Sequence, residues 1–298
     1  YLRADRQAGF ADLRPPLLRV ALLRGGPEHF WFVVTYHHLA LDARSMTIMF
    51  REALDLHDAF VAGRVLELPP ARPYRVFIDW LQSHDLHRAE HFWRGQLRGL
   101  THATPLPLAQ AGRAIAEPGE GAGELAFRLP ASTTAALRAV AAAERVTLNT
   151  LVQAAWAVVL SRHAGEDDVV FGALRAGRKI PVEGADAIVG MFITTVPVRV
   201  PAGAEAEIGP WLRRLREQWI AVREYEHTPL MKIQQWSEIA PGQPLFETIV
   251  SYQEPAWDAV LHALGGRWAA RGFDIRAQPN YPLALEVLAG AELTVKFI

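Results

Sequence analysis

VTYHHLALDARSM (residues 34–46) decides how the rest of the chain is read. Two adjacent histidines follow an apolar run, and an aspartate stands four positions after the second. If residues 30–38 are extended, successive side chains point to opposite faces. His37 and His38 then cannot readily share one metal ion, because metal-binding histidine pairs converge, as two histidines one helical turn apart do. Two readings remain from the residues alone: ordinary packing or surface exposure, which is the commoner fate of a histidine, and a single working imidazole with supports. A histidine ordinarily titrates at about pH 6.5, so it can take or give a proton near neutrality, and a nearby carboxylate can orient it. Asp42 falls where the strand gives way to a helix. Spacing alone leaves it free to cap that helix, fix the loop or pair with a cation.

Upstream, PLLRVALLRGGPEHFWFVVTYHH (16–38) reads as a hairpin about Gly25, Gly26 and Pro27. Downstream, Met46, Met49, Ala53, Leu56 and Phe60 recur at helical spacing, predicting a helix from about Ser45 to Ala62. A second helix is expected from Tyr74 to Leu97. Between Thr101 and Gly123 the pattern dissolves into proline, glycine and alanine, which marks residues 109–123 as a linker. Beyond it, GELAFRLP reads as a strand, and helices are expected at Ala131–Glu144 and from a Thr147 cap to Arg162. DDVVFGAL and TTVPVRV read as strands, and Pro197 makes the second an edge or crossover strand. GPWLRRLREQWIAVREY is an amphipathic helix, and Thr228–Pro229 opens another as cap and first residue. LFETIVSYQ, GRWAARGFDI and LALEVLAG…LTVKFI close the chain as strands. The class is therefore α/β in two lobes, 1–108 and 124–298.

With 31 basic and 32 acidic residues, no positive excess points to nucleic acid or an anionic membrane. There is no cysteine, which excludes disulfides, thiolate metal sites and a cysteine nucleophile, and fits a cytoplasmic protein. No apolar run approaches the roughly 18–20 residues of a membrane span, and the first residues do not read as a signal peptide, so none is expected.

HHLALDA resembles the HHxxxDG signature of nonribosomal peptide synthetase condensation domains, which are related to chloramphenicol acetyltransferase. The likeness extends along nearly the whole chain. YRVFIDWLQSHDLHRAEHFWRGQL, TLNTLVQAAWAVVLSRHAGEDDVVFGALRAGR, IVGMFITTVPVRV, EHTPLMKIQQWSE and PLFETIVSYQE resemble later family segments in the family's order. The resemblance implies two chloramphenicol acetyltransferase-like αβα lobes in a V, with a substrate tunnel between them and the first lobe incomplete. It also implies acyl transfer. The amine of an acceptor aminoacyl thioester attacks a donor acyl or peptidyl thioester, both carried on phosphopantetheine arms. His38 is then the catalytic histidine and His37 the inward, structural one. Asp42 would pair with an arginine nominated by GALRAGR, first Arg178 and next Arg175. Met191, Thr194, Thr195, Tyr252 and Gln253 are implied as tunnel lining, though Met191 and Phe192 read equally well as core. The domain itself would bind no metal or other cofactor, since the phosphopantetheine belongs to the upstream donor and downstream acceptor carrier domains. An adenylation domain would be a neighbour.

The sequence departs from the pattern in three places. Ala43 stands where the family has glycine, and is strained if that position needs positive φ. Thr194 replaces the usual asparagine. The family's opening segment and final helix have no counterpart, so the sequence reads as a piece of something larger, expected to be poorly soluble or inactive alone. Epimerisation, a free-standing acyltransferase and a non-catalytic carrier-docking module are the competing readings. Retention of both histidines argues against the last, and the later motifs fit peptide formation better than epimerisation.

Overall fold

The computed structural model describes residues 1–10, 13–106, 123–203, 207–254, 262–263, 272–276 and 280–298. Contacts group them into two compact units: Tyr1–Gln82 with Arg178–Ile193, and Ser83–Gly177 with Thr194–Ile298. This division differs from the one expected at 109–123, which apart from Gly123 lies outside the described residues. Residues 83–106 belong with the second unit, and the loop beginning at Arg178 with the first.

In the first unit, α1 (Leu2–Ala8) precedes the antiparallel hairpin of β1 (Leu18–Arg24) and β2 (Phe30–Tyr36). Its turn holds the glycines and proline that signalled it. Helix α2 spans Ala43–Val61 and α3 Arg75–Gln82. The stripe expected to face a core in α2 is only partly covered. Met46 is buried, whereas Ala53, Leu56 and Phe60 are exposed, Phe60 by 84%. The buried turn of α2 is instead Ser45–Ile48. The apolar centre of this unit is Phe77, Ile188 and Phe192, flanked by Tyr74 and Trp80.

The single helix expected over 74–97 is two. The chain leaves helical geometry after Gln82, and Asp85 starts α4 (Leu86–Gln96) by accepting the His87 amide at 2.9 Å. Serine and aspartate bond nearby backbone in preference to continuing a helix, which explains the break.

The second unit is built on a sheet ordered β3-β8-β7-β6-β4-β5 among the described residues. The strands are Leu125–Leu129, Leu293–Phe297, Leu283–Ala289, Thr248–Gln253, Asp168–Arg175 and Thr194–Pro201 in that order. β4, β6 and β7 run parallel, and the other pairings are antiparallel. β5 is the edge strand that Pro197 requires. Both faces are covered. Val169, Phe171 and Ala173 of β4 pack with α5 (Ala131–Ala143), α6 (Leu148–Ala164) and α7 (Ile208–Ala221). Val170 and Ile249 pack on the other side with α4 and α8 (Leu230–Trp236). That alternation explains why β4 is apolar almost throughout: a strand buried on both faces loses the polar half of its pattern. Thr147 caps α6, accepting from the Thr150 amide. Pro229, not Thr228, occupies the cap position of α8. Of the strand expected at GRWAARGFDI, residues 266–271 lie outside the described residues, and 272–275 are not in a strand.

A buried polar group in this unit yields a pH prediction. Arg175 bonds Glu226 through Nε at 2.7 Å and stacks 4.0 Å over Trp219. The neighbouring His227 is held down to a pKa of about 4 by burial first, then by the positive fields of His84 and Arg175. Unfolded, the same imidazole titrates at about 6.5. Between these values the unfolded chain binds the extra proton, so stability is full above the upper one and falls as pH drops towards the lower. His227→Gln should remove that dependence. The stability gap between wild type and variant in urea unfolding should narrow by up to about tenfold in equilibrium constant per pH unit from 6.5 to 4. A gap independent of pH would contradict it.

Candidate functional site

β2 ends at Tyr36, so the histidines lie just beyond the strand, in a turn over residues 37–40. The strand alternation expected through residue 38 therefore does not govern them, and the turn sets their different surroundings. His37 continues the ladder by donating its amide to the Leu17 carbonyl at 3.0 Å. Its carbonyl accepts from Ala40 at 3.0 Å, and its Nδ1 accepts from the Leu39 amide at 3.1 Å. With Nδ1 an acceptor, a neutral His37 carries its proton on Nε2. The ring is half-buried, edge-on to Phe10. His38 is exposed, and its ring meets the edge of Tyr36 at 6.3 Å between centroids. Burial first, and the charge of Asp42 second, push the Tyr36 phenol above its ordinary range, so it stays neutral.

Asp42 holds the end of this turn. Its side chain is the N-cap of α2, accepting from the Ser45 amide at 2.8 Å. The carboxylate is 1% exposed and also accepts from the Phe192 amide at 3.2 Å. Arg178, 8% exposed, brings Nη2 to both carboxylate oxygens, at 2.8 and 3.0 Å. The same nitrogen reaches Ser45 Oγ at 2.9 Å, while Nη1 donates to the Ala185 and Ile188 carbonyls. Ser45 completes the set: its hydroxyl donates to the Gly190 carbonyl at 2.7 Å and accepts from the Gly190 amide at 2.9 Å. The Arg178 guanidinium lies 4.1 Å over the Phe192 ring.

Arg175, the second nominee for pairing with Asp42, is instead bound to Glu226. Ala43 is the first residue of α2 and lies in helical conformation, so the strain foreseen there is absent. Thr194 opens β5 with its Oγ1 buried and without a hydrogen bond among the described residues. Met191 offers its carbonyl to the Tyr74 hydroxyl, and Phe192 is core. Thr195 is half-buried in β5, paired with Leu174 of β4. Tyr252 donates to Glu254 at 2.6 Å, and Gln253 to Glu286 at 3.2 Å. Met191 belongs to the first unit, and the two threonines, Tyr252 and Gln253 to the second. Among the described residues no three side chains of metal-ligating type converge. No described helix is long and apolar enough to cross a membrane.

Sequence reading missed Ser45, Gly190 and Tyr74. Ser45 was visible in principle, because Asp-x-x-Ser at a helix start places the fourth residue's amide against the aspartate. Gly190 is needed for close approach: a Cβ there would lie 2.1 Å from Tyr74 Cδ2. Gly190→Ala should therefore destabilise the first unit by about 1–3 kcal/mol, read as a lower urea midpoint at unchanged slope. An unchanged midpoint would mean that Tyr74 yields freely.

The Condensation domain family model matches residues 1–298. One of the linear gramicidin synthase proteins of Brevibacillus parabrevis is 37% identical over 298 residues, covering 99% of this chain and 6% of that protein. Chondramide synthase cmdD of Chondromyces crocatus is 33% identical over 300 residues, covering 100% of this chain and 8% of that protein. The chain thus spans a small part of these relatives. Among solved structures, the X-domain from teicoplanin biosynthesis superposes with a TM-score of 0.78 at 23% identity, over 95% of this chain and 67% of that one. The first condensation domain of the calcium-dependent antibiotic synthetase gives 0.70 at 18%, over 95% and 64%. These structures share the α/β fold. The chain belongs to the Condensation domain family.

Proposed function

We propose that the chain forms amide bonds between carrier-bound substrates in nonribosomal peptide synthesis. The observation that carries this reading is the contrast at HHLALDA: an exposed imidazole on a turn whose end is fixed by a buried, charged network. A thioester is already activated and a neutral amine is a good nucleophile. What is left for the protein is alignment, one proton and one developing oxyanion. The acceptor nitrogen attacks the donor carbonyl carbon. The C–N bond forms, the C–S bond breaks, and the proton lost by nitrogen ends on the departing thiol. His38 is the group offered for that proton or for a hydrogen bond to the attacking nitrogen. Its ring nitrogens make no hydrogen bond among the described residues, so they are open to a reacting partner. His37, Asp42 and Arg178 shape the turn. Phosphopantetheine comes with the donor and acceptor carriers, and an adenylation domain is the expected neighbour.

The test mixes the complete parent domain that contains this chain with a donor-loaded and an acceptor-loaded carrier and follows the mass of the acceptor. Gain of the acyl group supports the proposal. An acceptor whose mass is unchanged but whose α-carbon is inverted would indicate epimerisation, and carrier binding without either change would indicate docking.

A further inference from the structure

Helix α1 has no buried residue, so apolar burial does not explain its place beside the hairpin. Polar contacts from one side chain do. Asp5 Oδ2 accepts from Thr35 Oγ1 at 2.5 Å, and Oδ1 accepts from Arg19 Nε at 2.9 Å. Arg19 and Thr35 are register partners across β1 and β2, so a single carboxylate bridges a cross-strand pair two residues before His37. Arg19 is fixed further by donating Nη2 to the Asp5 carbonyl and Nη1 to the Gly9 carbonyl, at 2.9 and 2.6 Å. So held, its guanidinium lies 4.3 Å over the ring of Phe10. Phe10 in turn stands edge-on to His37, the residue whose Nδ1 and carbonyl form the turn that presents His38.

From this arrangement we infer that Asp5 is a positioning residue for the histidine turn, acting through Arg19 and Phe10 on His37 and through Thr35 on the end of β2. The inference rests on the reading of His38 as the acyl-transfer histidine for its kinetic consequence, though not for its structural one. The hydrogen bonds from Thr35 and then Arg19 hold the Asp5 carboxyl below its ordinary range, so the brace stays charged through neutral pH. Because α1 buries nothing, loss of the brace should loosen the turn without unfolding the protein.

The test compares wild type with Asp5→Ala and Phe10→Leu in the full chain, with histidine rings labelled for NMR. In wild type, His37 should show an acceptor Nδ1 and a cross-relaxation contact to Phe10. In Asp5→Ala the contact should vanish and the two nitrogens should average, with the signals of histidines outside the 37–40 turn unmoved and the melting temperature nearly unchanged. Transfer between loaded carriers should lose about tenfold in kcat at constant KM. Phe10→Leu, which leaves the carboxylate bridge intact, should move the His37 signals the same way and by less. Unchanged His37 signals in Asp5→Ala overturn the inference, as does a general loss of structure that leaves no His37-specific change. If wild type transfers nothing, the functional proposal fails, and the His37 signals still decide the role of Asp5.

Discussion

Asp42→Ala should cost about 3–5 kcal/mol of stability, as removing one partner of a buried ion pair commonly does. The variant leaves the Arg178 guanidinium in place, 8% exposed, with two backbone carbonyls and a serine hydroxyl but no counter-charge. It also orphans the Ser45 and Phe192 amides that the carboxylate accepts. Arg178→Ala should cost a similar amount by stranding the carboxylate. The double variant should cost clearly less than the two together, because neither charge is then left buried alone. Strict additivity in urea unfolding would mean that the pair is not coupled. The geometry sharpens the expectation for Asp42→Asn. One guanidinium nitrogen spans both carboxylate oxygens, so an amide, which turns one of those acceptors into a donor, can serve only half of that contact. It should fall between wild type and alanine. Any acyl-transfer defect in these variants should track the folded fraction, the signature of a structural carboxylate.

How much of this was legible depends on which interactions are local. The hairpin and α6 could be read because their signals are neighbours in sequence: Gly25–Gly26–Pro27 between apolar runs, and Thr147 against the Thr150 amide. Pro197 could be placed at an edge because its missing N–H excludes it from a central ladder. The break at Ser83–Asp85 was harder. Apolar residues recur at helical spacing on both sides of it, and only the Asp85 cap distinguishes two helices from one. The α2 stripe misled because periodicity reports that a face is apolar, not that anything covers it. Phe60 is left exposed, while Ser45 and Thr47 are buried with their hydroxyls bonded. The partner of Asp42 lies 136 positions away. Family resemblance nominated Arg178, whereas spacing could not have chosen it over Arg175. Asp5 was invisible for the same reason, since its bonds to Arg19 and Thr35 exist only once the hairpin sets those two side by side.

His38→Ala should separate chemistry from architecture. The side chain is exposed, and its ring contact is with the edge of Tyr36, so unfolding should change by no more than about 0.5 kcal/mol. Single-turnover transfer from donor to acceptor carrier should nevertheless fall by about 10²–10⁴, the usual worth of a positioned acid–base group. His37→Ala should do the reverse in part. It removes the Nδ1 acceptor for the Leu39 amide and the ring against Phe10, so its rate loss should come with altered turn signals and a lower melting temperature. A His38→Ala protein that folds and still transfers at the wild-type rate would remove the imidazole from the reaction, leaving alignment alone to account for catalysis. A loss beyond about 10⁴ without unfolding would mean more than one missing proton transfer, because alignment by the rest of the turn survives this substitution. The size of the residual rate therefore measures how much of the reaction belongs to the imidazole and how much to the turn that Asp42 and Arg178 hold in place.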